Sequence, residues 1–291
     1  MKATMIVNRP NSKRRGTQIQ SVAKAIDILR CFGHEHPTLS VTEISHRLDL
    51  HKSTVSRLLR TLEQGGLVTC EERTGHYRLG LGLLEMAGLV MEGSNLRTLA
   101  QPHLRALAEA SGETANLAVL DRENVVNIDQ ILSPQTIKHV GWIGRRNPLH
   151  CTSGGRVFLA FGPEARVRRV LTQALPAYTP ATLTDPSRLV EELARVRQDG
   201  YAVAREEFET GLTAIAAPIR NGRDEVIATC SVSGPSFRFS ADAIPVRVRQ
   251  VLQAAARISQ EAMVSGIAHV EGRYETRGWN HGQSLGAADT A

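Results

Sequence analysis

The chain has 291 residues, 42% of them hydrophobic, and a formal net charge of +6; this length suits two domains, each able to bury its own apolar interior. No apolar run approaches the roughly 18 residues needed to cross a bilayer, and no apolar core follows the basic N-terminus, so a cytoplasmic protein with no membrane partner is expected. The cysteines Cys31, Cys70, Cys151 and Cys230 are scattered, without the CxxC pairs of a zinc site or the density of a disulfide scaffold, and are expected to be buried free thiols. The charge is unevenly placed: residues 1–80 hold thirteen Lys and Arg against seven Asp and Glu, and residues 81–291 hold twenty-two of each. A basic head on a neutral body is the footprint of a polyanion-binding module, with a chance surface imbalance as the plain alternative.

Residues 1–18 carry Lys2, Arg9, Lys13, Arg14 and Arg15 with no acid, and a disordered basic tail is expected. Residues 19–80 form the head. Val22, Ile26 and Leu29, with Ala25 and Ile28, fit a helix at 3.6-residue spacing that ends before Pro37. Ser40 then precedes Val41, Ile44 and Leu48, with Glu43 three residues on as a capping box, which predicts a short second helix. Asp49-Leu50-His51 breaks it, and a third helix follows with Val55, Leu58, Leu59 and Leu62 as its buried stripe.

The opposite face of that third helix carries Lys52, Ser53, Thr54, Ser56, Arg57, Arg60 and Thr61, with no acid before Glu63. Hydroxyls near a helix N-terminus bond phosphates or base edges, the helix dipole favours phosphate, and Arg bonds guanine in bidentate fashion. For one isolated helix a solvated charged face would be the better reading; two short helices with a tight turn between them favour a helix-turn-helix. Gly65-Gly66 stops the helix, and Leu67 to Cys70 and Tyr77 to Leu79 read as strands around a turn at Arg73-Thr74-Gly75-His76. A hairpin in this place is a wing, whose Arg73 and His76 can touch the adjoining groove or backbone.

Residues 81–95 read as a linker helix and 96–265 as a second domain, with 266–291 as a disordered tail. A helix with Leu96, Leu99, Leu104 and Leu107 ends at Ser111-Gly112, and Ala115–Leu120 and Val125–Leu132 flank a polar turn, which suggests an antiparallel pair. Helices follow at Gly154–Phe161, Pro163–Gln173 and Pro186–Gln198, then strands at Tyr201–Glu206, Ala214–Ile219 and Val226–Ser233. A long helix from about Ala241 to Val264 closes a domain of α+β class. Cys151-Thr152-Ser153-Gly154-Gly155 stands just before a helix, where backbone N–H groups either hold an anion or serve a plain cap.

The stretches SVAKAIDILRCF, LSVTEISHRLDLHKSTVSRLLRTLEQGGLV, YRLGLGLLEMA, VGWIGRRNPLHCTSGGRVFLAF, TPATLTDPSRLVEELARVRQDGYAVAREE, GLTAIAAPIR and IATCSVSGP occur in order over about residues 18–265. Together they make the chain similar to the IclR (isocitrate lyase regulator) family of bacterial regulators. His51 stands where that family usually has proline, which is expected to loosen the start of the recognition helix. The resemblance implies a winged helix-turn-helix reading operator DNA and a GAF-like domain binding a small effector. It further implies a homodimer or dimer of dimers, with repression the commoner outcome; activation, or regulation of efflux genes by an apolar effector, are the alternatives. It places the effector at Ser153 and Gly154, and it matches Ser231 and Ser233 to serines that bond the effector's carboxylate. By spacing alone those two are strand hydroxyls facing the same side. Where relatives that bind very small oxoacids tend to have aspartate and cysteine, this chain has Ala204 and Ala214. An organic acid with an apolar or aromatic body, in a roomier and less polar pocket, is therefore expected.

Two other classes fit less well. An enzyme would need signals that are missing: no Walker loop, no GxGxxG after a strand, no HExxH, no GxSxG, and no ligand spacing among ten histidines. His150 and Cys151 are neighbours on an extended segment and point in opposite directions, so neither catalysis, cofactor nor metal is expected. A purely architectural DNA binder would leave more than half of the chain without a purpose.

Overall fold

The computed structural model describes residues 19–267 except 34, 93, 94 and 142. The tails expected to be disordered, 1–18 and 266–291 apart from its first two residues, lie outside the described residues. The chain divides into two compact units, Met1–Gly93 and Ser94–Ala291, and each has its own core.

The first unit runs α1 (Gln20–Cys31), β1 (Thr38–Leu39), α2 (Val41–Leu48), α3 (Lys52–Gln64), β2 (Val68–Glu71), β3 (His76–Leu79) and α4 (Gly82–Glu92). The expected capping box starts α2: the Ser40 N–H donates to Glu43 Oε2 at 2.7 Å, and the Glu43 N–H donates to Ser40 Oγ at 3.2 Å. Asp49 makes the sharp turn into α3 in the left-handed region at φ 53°, and the Ser45 hydroxyl pins the turn by donating to Leu50 O at 2.6 Å. His51 sits at φ −59°, the value a proline would impose, so α3 begins without distortion despite the substitution. At its far end Gly66 takes φ 68° and lets Leu67 N–H reach back to Leu62 O. Ile28, Leu39, Ile44, Val55 and Leu59 fill the core.

Two features of this unit differ from the sequence reading. The wing is three-stranded, in the order β1-β3-β2, because Thr38 and Leu39 pair with Arg78 and Tyr77. The apolar residues of α1 do not form one stripe: Ile28 is buried and Ala25 and Leu29 pack beside it, whereas Ile19, Val22 and Ile26 face solvent.

The second unit runs α5 (Asn95–Ser111), β4 (Thr114–Asp121), β5 (Asn124–Ile131), β6 (Arg146–Pro148), α6 (Ser153–Ala160), α7 (Glu164–Leu171), α8 (Pro186–Asp199), β7 (Ala202–Arg205), β8 (Leu212–Arg220), β9 (Val226–Pro235) and α9 (Ala243–Val264). The strands form one antiparallel sheet in the order β6-β5-β4-β9-β8-β7; the short β6 has no clear signal in the sequence. Alternation decides what each face does. Leu117 and Val119, Ile215 and Ala217, and Cys230 and Val232 point to the core shared with α5 and α9. Ala118 and Ala216 point to the opposite core, which holds Val157, Leu159, Leu189 and Leu193 of α6 and α8. Part of that second face is left uncovered by helices. There the inward residues turn polar, with Asn116 on β4 and Thr229, Ser231 and Ser233 on β9, and they line a cavity.

Candidate functional site

The face of α3 turned away from the core carries Lys52, Ser53, Arg57, Arg60 and Thr61 exposed, with Thr54 and Ser56 half-buried at its edge. No acid lies in its first turn, so the positive end of the helix dipole is unopposed. Arg73 is exposed at the tip of the β2–β3 turn, which Gly75 closes at φ 67°. His76 is placed otherwise than expected of a groove contact: its Nε2 lies 3.7 Å from Glu43 Oε2 and its Nδ1 3.2 Å from Thr74 O, which folds it back on the start of α2.

All six residues singled out for a ligand, Ser153, Gly154, Ala204, Ala214, Ser231 and Ser233, line one cavity of about 750 Å3 including its open mouth. Sheet register explains how positions so distant in sequence meet: Ala204 pairs with Ala214, Ala214 with Ser233, and Ser231 with Asn116. The N-terminus of α6 closes one side. Thr152 caps it by accepting from Gly155 N–H at 3.2 Å, and the first intrahelical bond is Arg156 N–H to Thr152 O. The N–H groups of Ser153 and Gly154 therefore precede the helical ladder and remain donors for an anion. Thr229 Oγ1 and Asn147 Oδ1, both lining the cavity, are buried without a protein partner, and such groups call for a bound partner.

The far side is less apolar than the two alanines suggest. Its floor is Ala204, Ala214 and Leu212, but loops bring His139, Arg145, Phe208 and Glu209 over it. Arg145 stacks on the Phe208 ring at 5.2 Å. Glu207 also reaches the cavity, although its carboxylate is taken by the buried Arg156, which donates in addition to Val203 O and His150 O. Burial lowers the pKa of His139, Glu209 opposes that shift and Arg145 adds to it, so the ring is neutral at pH 7.

Cys151 lines the cavity while His150 turns away to donate from Nε2 to Pro176 O at 3.0 Å. Burial, with Glu207 nearby, pushes the Cys151 thiol up to about 12, so it is no nucleophile at neutral pH. Of the four thiols, Cys151 and Cys230 are buried as expected; Cys31 and Cys70, in the small head, are only half-buried.

Two family descriptions match the chain: the IclR helix-turn-helix domain over residues 21–71, and the bacterial transcriptional regulator IclR C-terminal domain over residues 88–260. The chain belongs to the IclR family. It is 34% identical to the transcriptional repressor IclR of Escherichia coli over 83% of this chain and 89% of that protein. It is 36% identical to the regulator KdgR of Dickeya chrysanthemi, over 84% and 80%. Among solved structures, an IclR regulator from Alicyclobacillus acidocaldarius superposes with a TM-score of 0.74 at 30% identity, covering 84% of this chain and all of that one. An IclR homologue from Microbacterium hydrocarbonoxydans, solved in complex with 4-hydroxybenzoate, gives 0.71 at 29% identity, covering 83% and 98%.

IclR-family proteins are bacterial transcription regulators with a DNA-binding helix-turn-helix and a C-terminal effector-binding domain. In this member the paired glycines of α6 do different work. A Cβ on Gly155 would collide with Leu149 O and lie 2.5 Å from Leu149 Cα, backbone atoms that cannot retreat. One on Gly154 would come within 3.0 Å only of the Thr229 hydroxyl, at the cavity wall. Gly155→Ala is thus expected to destabilise the fold by about 1–3 kcal/mol, whereas Gly154→Ala should leave the melting temperature nearly unchanged and impair ligand binding. Equal melting losses in the two variants would count against this division.

Asn116, Asn127, His139, Arg145, Asn147 and Thr229 are cavity residues that the sequence reading misses. Polar residues alternating with apolar ones in strands otherwise bound for the core are the available signal for Asn116 and Thr229. Nothing local marks His139 or Arg145.

Proposed function

We propose that this protein represses a catabolic operon and that a small organic acid bound in this cavity sets its affinity for operator DNA. The observation that carries this reading is one chain's combination of an exposed, acid-free basic helix face at Lys52, Ser53, Thr54, Ser56, Arg57 and Arg60 with a cavity that ends on free helix N–H donors at Ser153 and Gly154. The carboxylate lies at those donors, opposite Ser231 and Ser233, and needs no cation there. Above the Ala204, Ala214 and Leu212 floor there is room for an apolar or aromatic body, and a two-carbon oxoacid would be poorly contacted. The homologue crystallised with 4-hydroxybenzoate supports an acid of this size.

A single recognition helix covers too few base pairs to select a genomic site, so two copies read a pseudo-palindrome. The exposed Ile19 before α1, Val22 and Ile26 in it, and Leu81 and Leu84 at α4 supply apolar surface for pairing heads as a homodimer, or within a dimer of dimers. No described helix is long and apolar enough to cross a membrane, and the reading places the protein in the cytoplasm without catalytic activity. Coupling between cavity and head requires the acid to prefer one arrangement of paired heads. Fragments selected from genomic DNA should contain a two-fold symmetric motif, and an effective acid should change operator affinity by about 5–150-fold. Sequence-independent binding, or affinity indifferent to a broad organic-acid panel that binds the protein, would overturn the proposal.

A further inference from the structure

We infer that His139 is the specificity-determining donor of the cavity, offering Nε2–H to a hydroxyl or keto oxygen of the acid remote from its carboxylate, with Ser233 as a positioning residue rather than a carboxylate ligand. The inference rests on the acid-effector reading above and narrows the role of Ser233 within it.

The Thr114 carbonyl can only accept. Asn116 Nδ2 lies 3.4 Å from the Thr114 carbonyl and 3.1 Å from Ser233 Oγ, while Gln130 Nε2 donates to Asn116 Oδ1 at 2.8 Å. Turned over, the Asn116 amide would set oxygen against the Thr114 oxygen, which turning Gln130 as well would not relieve, so its orientation is determined. Ser233 Oγ therefore receives a hydrogen bond from Asn116. Its own proton remains to be placed, and His139 Nδ1 stands 2.9 Å away.

If Nδ1 accepts that proton, the Ser233 hydroxyl is satisfied and only Nε2–H is left to face the cavity. If instead Nδ1–H donated to Ser233, the hydroxyl proton of a residue only 4% exposed would have no acceptor among the described residues. The ring is thus the neutral Nε2–H tautomer, in keeping with the lowering of its pKa by burial. The Thr114 hydroxyl donates to the His139 carbonyl at 2.7 Å, which anchors the loop so that the ring does not drift. Nε2 has no protein partner among the described residues, and His139 lines the cavity. A ligand hydroxyl or keto oxygen can accept from Nε2–H, which a plain acid leaves unmatched. The carboxylate itself stays with the Ser153 and Gly154 N–H groups and the Ser231 and Thr229 hydroxyls.

The test uses the full-length protein with side-chain 15N-labelled histidine, the His139 signal being the one absent in His139→Phe. The expected 15N shifts are those of the Nε2–H tautomer, free and with acid bound, and Ser233→Ala should abolish the bias. A Nδ1–H tautomer in either state overturns the inference. Binding is measured in parallel for two matched pairs, benzoate with 4-hydroxybenzoate and butyrate with 4-hydroxybutyrate. Wild type should favour the hydroxylated member of the pair it binds by about tenfold, as one retained hydrogen bond implies, and His139→Phe should erase the preference. An equal loss for both members of a pair in Ser233→Ala would show that Ser233 holds the carboxylate. If a broad acid panel fails to bind at all, the acid-effector reading falls, and the tautomer still decides the roles of His139 and Ser233.

Discussion

Replacing Arg57 with alanine is expected to weaken operator binding by about 1–3 kcal/mol, roughly 5- to 150-fold, while changing affinity for random DNA by no more than the neutralisation of one phosphate is worth. Arg57 is exposed in the second turn of α3, on the face shared by Ser53 and Arg60, and has no ion-pair partner among the described residues. Nothing among the described residues competes for its guanidinium, and its removal opens no core, so any weakening reports on the DNA interface itself. The tail supplies the contrast. Its five cations are free of any acid within residues 1–18, and deleting residues 1–15 should weaken binding to all sequences and flatten the salt dependence, by about 0.9 for each phosphate no longer neutralised. Titrations of operator and scrambled duplexes over a salt series separate the two effects. An Arg57→Ala variant that weakened equally on both duplexes would have no part in sequence readout.

Glu113→Ala is expected to be the most destabilising of these changes, at about 3–5 kcal/mol. The Glu113 side chain, 1% exposed, lies between the end of α5 and the start of β4. Arg238 grips it with both nitrogens, Nε at 2.7 Å and Nη2 at 2.6 Å, and Arg247 from α9 adds a bond at 3.2 Å. The sequence makes room for this at Gly234, where any Cβ would collide with Glu113 Oε2. Removing the carboxylate strands two guanidiniums; because Arg238 is 21% and Arg247 14% exposed, water relieves part of the cost and the lower end of the range is expected. Glu113→Gln, which keeps the shape and drops the charge, should lose less. Urea unfolding of the full chain measures both, and a Glu113→Ala loss under about 1 kcal/mol would place the cluster with ordinary surface ion pairs.

The parts of this protein legible in its sequence are those governed by near neighbours. The Ser40–Glu43 capping box, the break at Asp49, the stop at Gly66 and the buried stripe Val55, Leu59 and Leu62 are all settled within a few residues, and with them the helix-turn-helix and its basic face. The i, i+2 period likewise places Ser231 and Ser233 on one face of a strand, whatever lies opposite. The rest depended on partners distant along the chain. β1 is two residues long and exists only because it pairs with β3; Val22 and Ile26 obey the same period as Leu29, and only the packed head shows which side of α1 is covered. The cavity's far wall is the clearest case. His139 is held by Thr114, 25 positions away, and by Ser233, 94 positions away. No window on the sequence contains those bonds, so the polarity of the pocket was decided by tertiary structure, where loop backbones satisfy their hydrogen bonds on whatever the sheet presents.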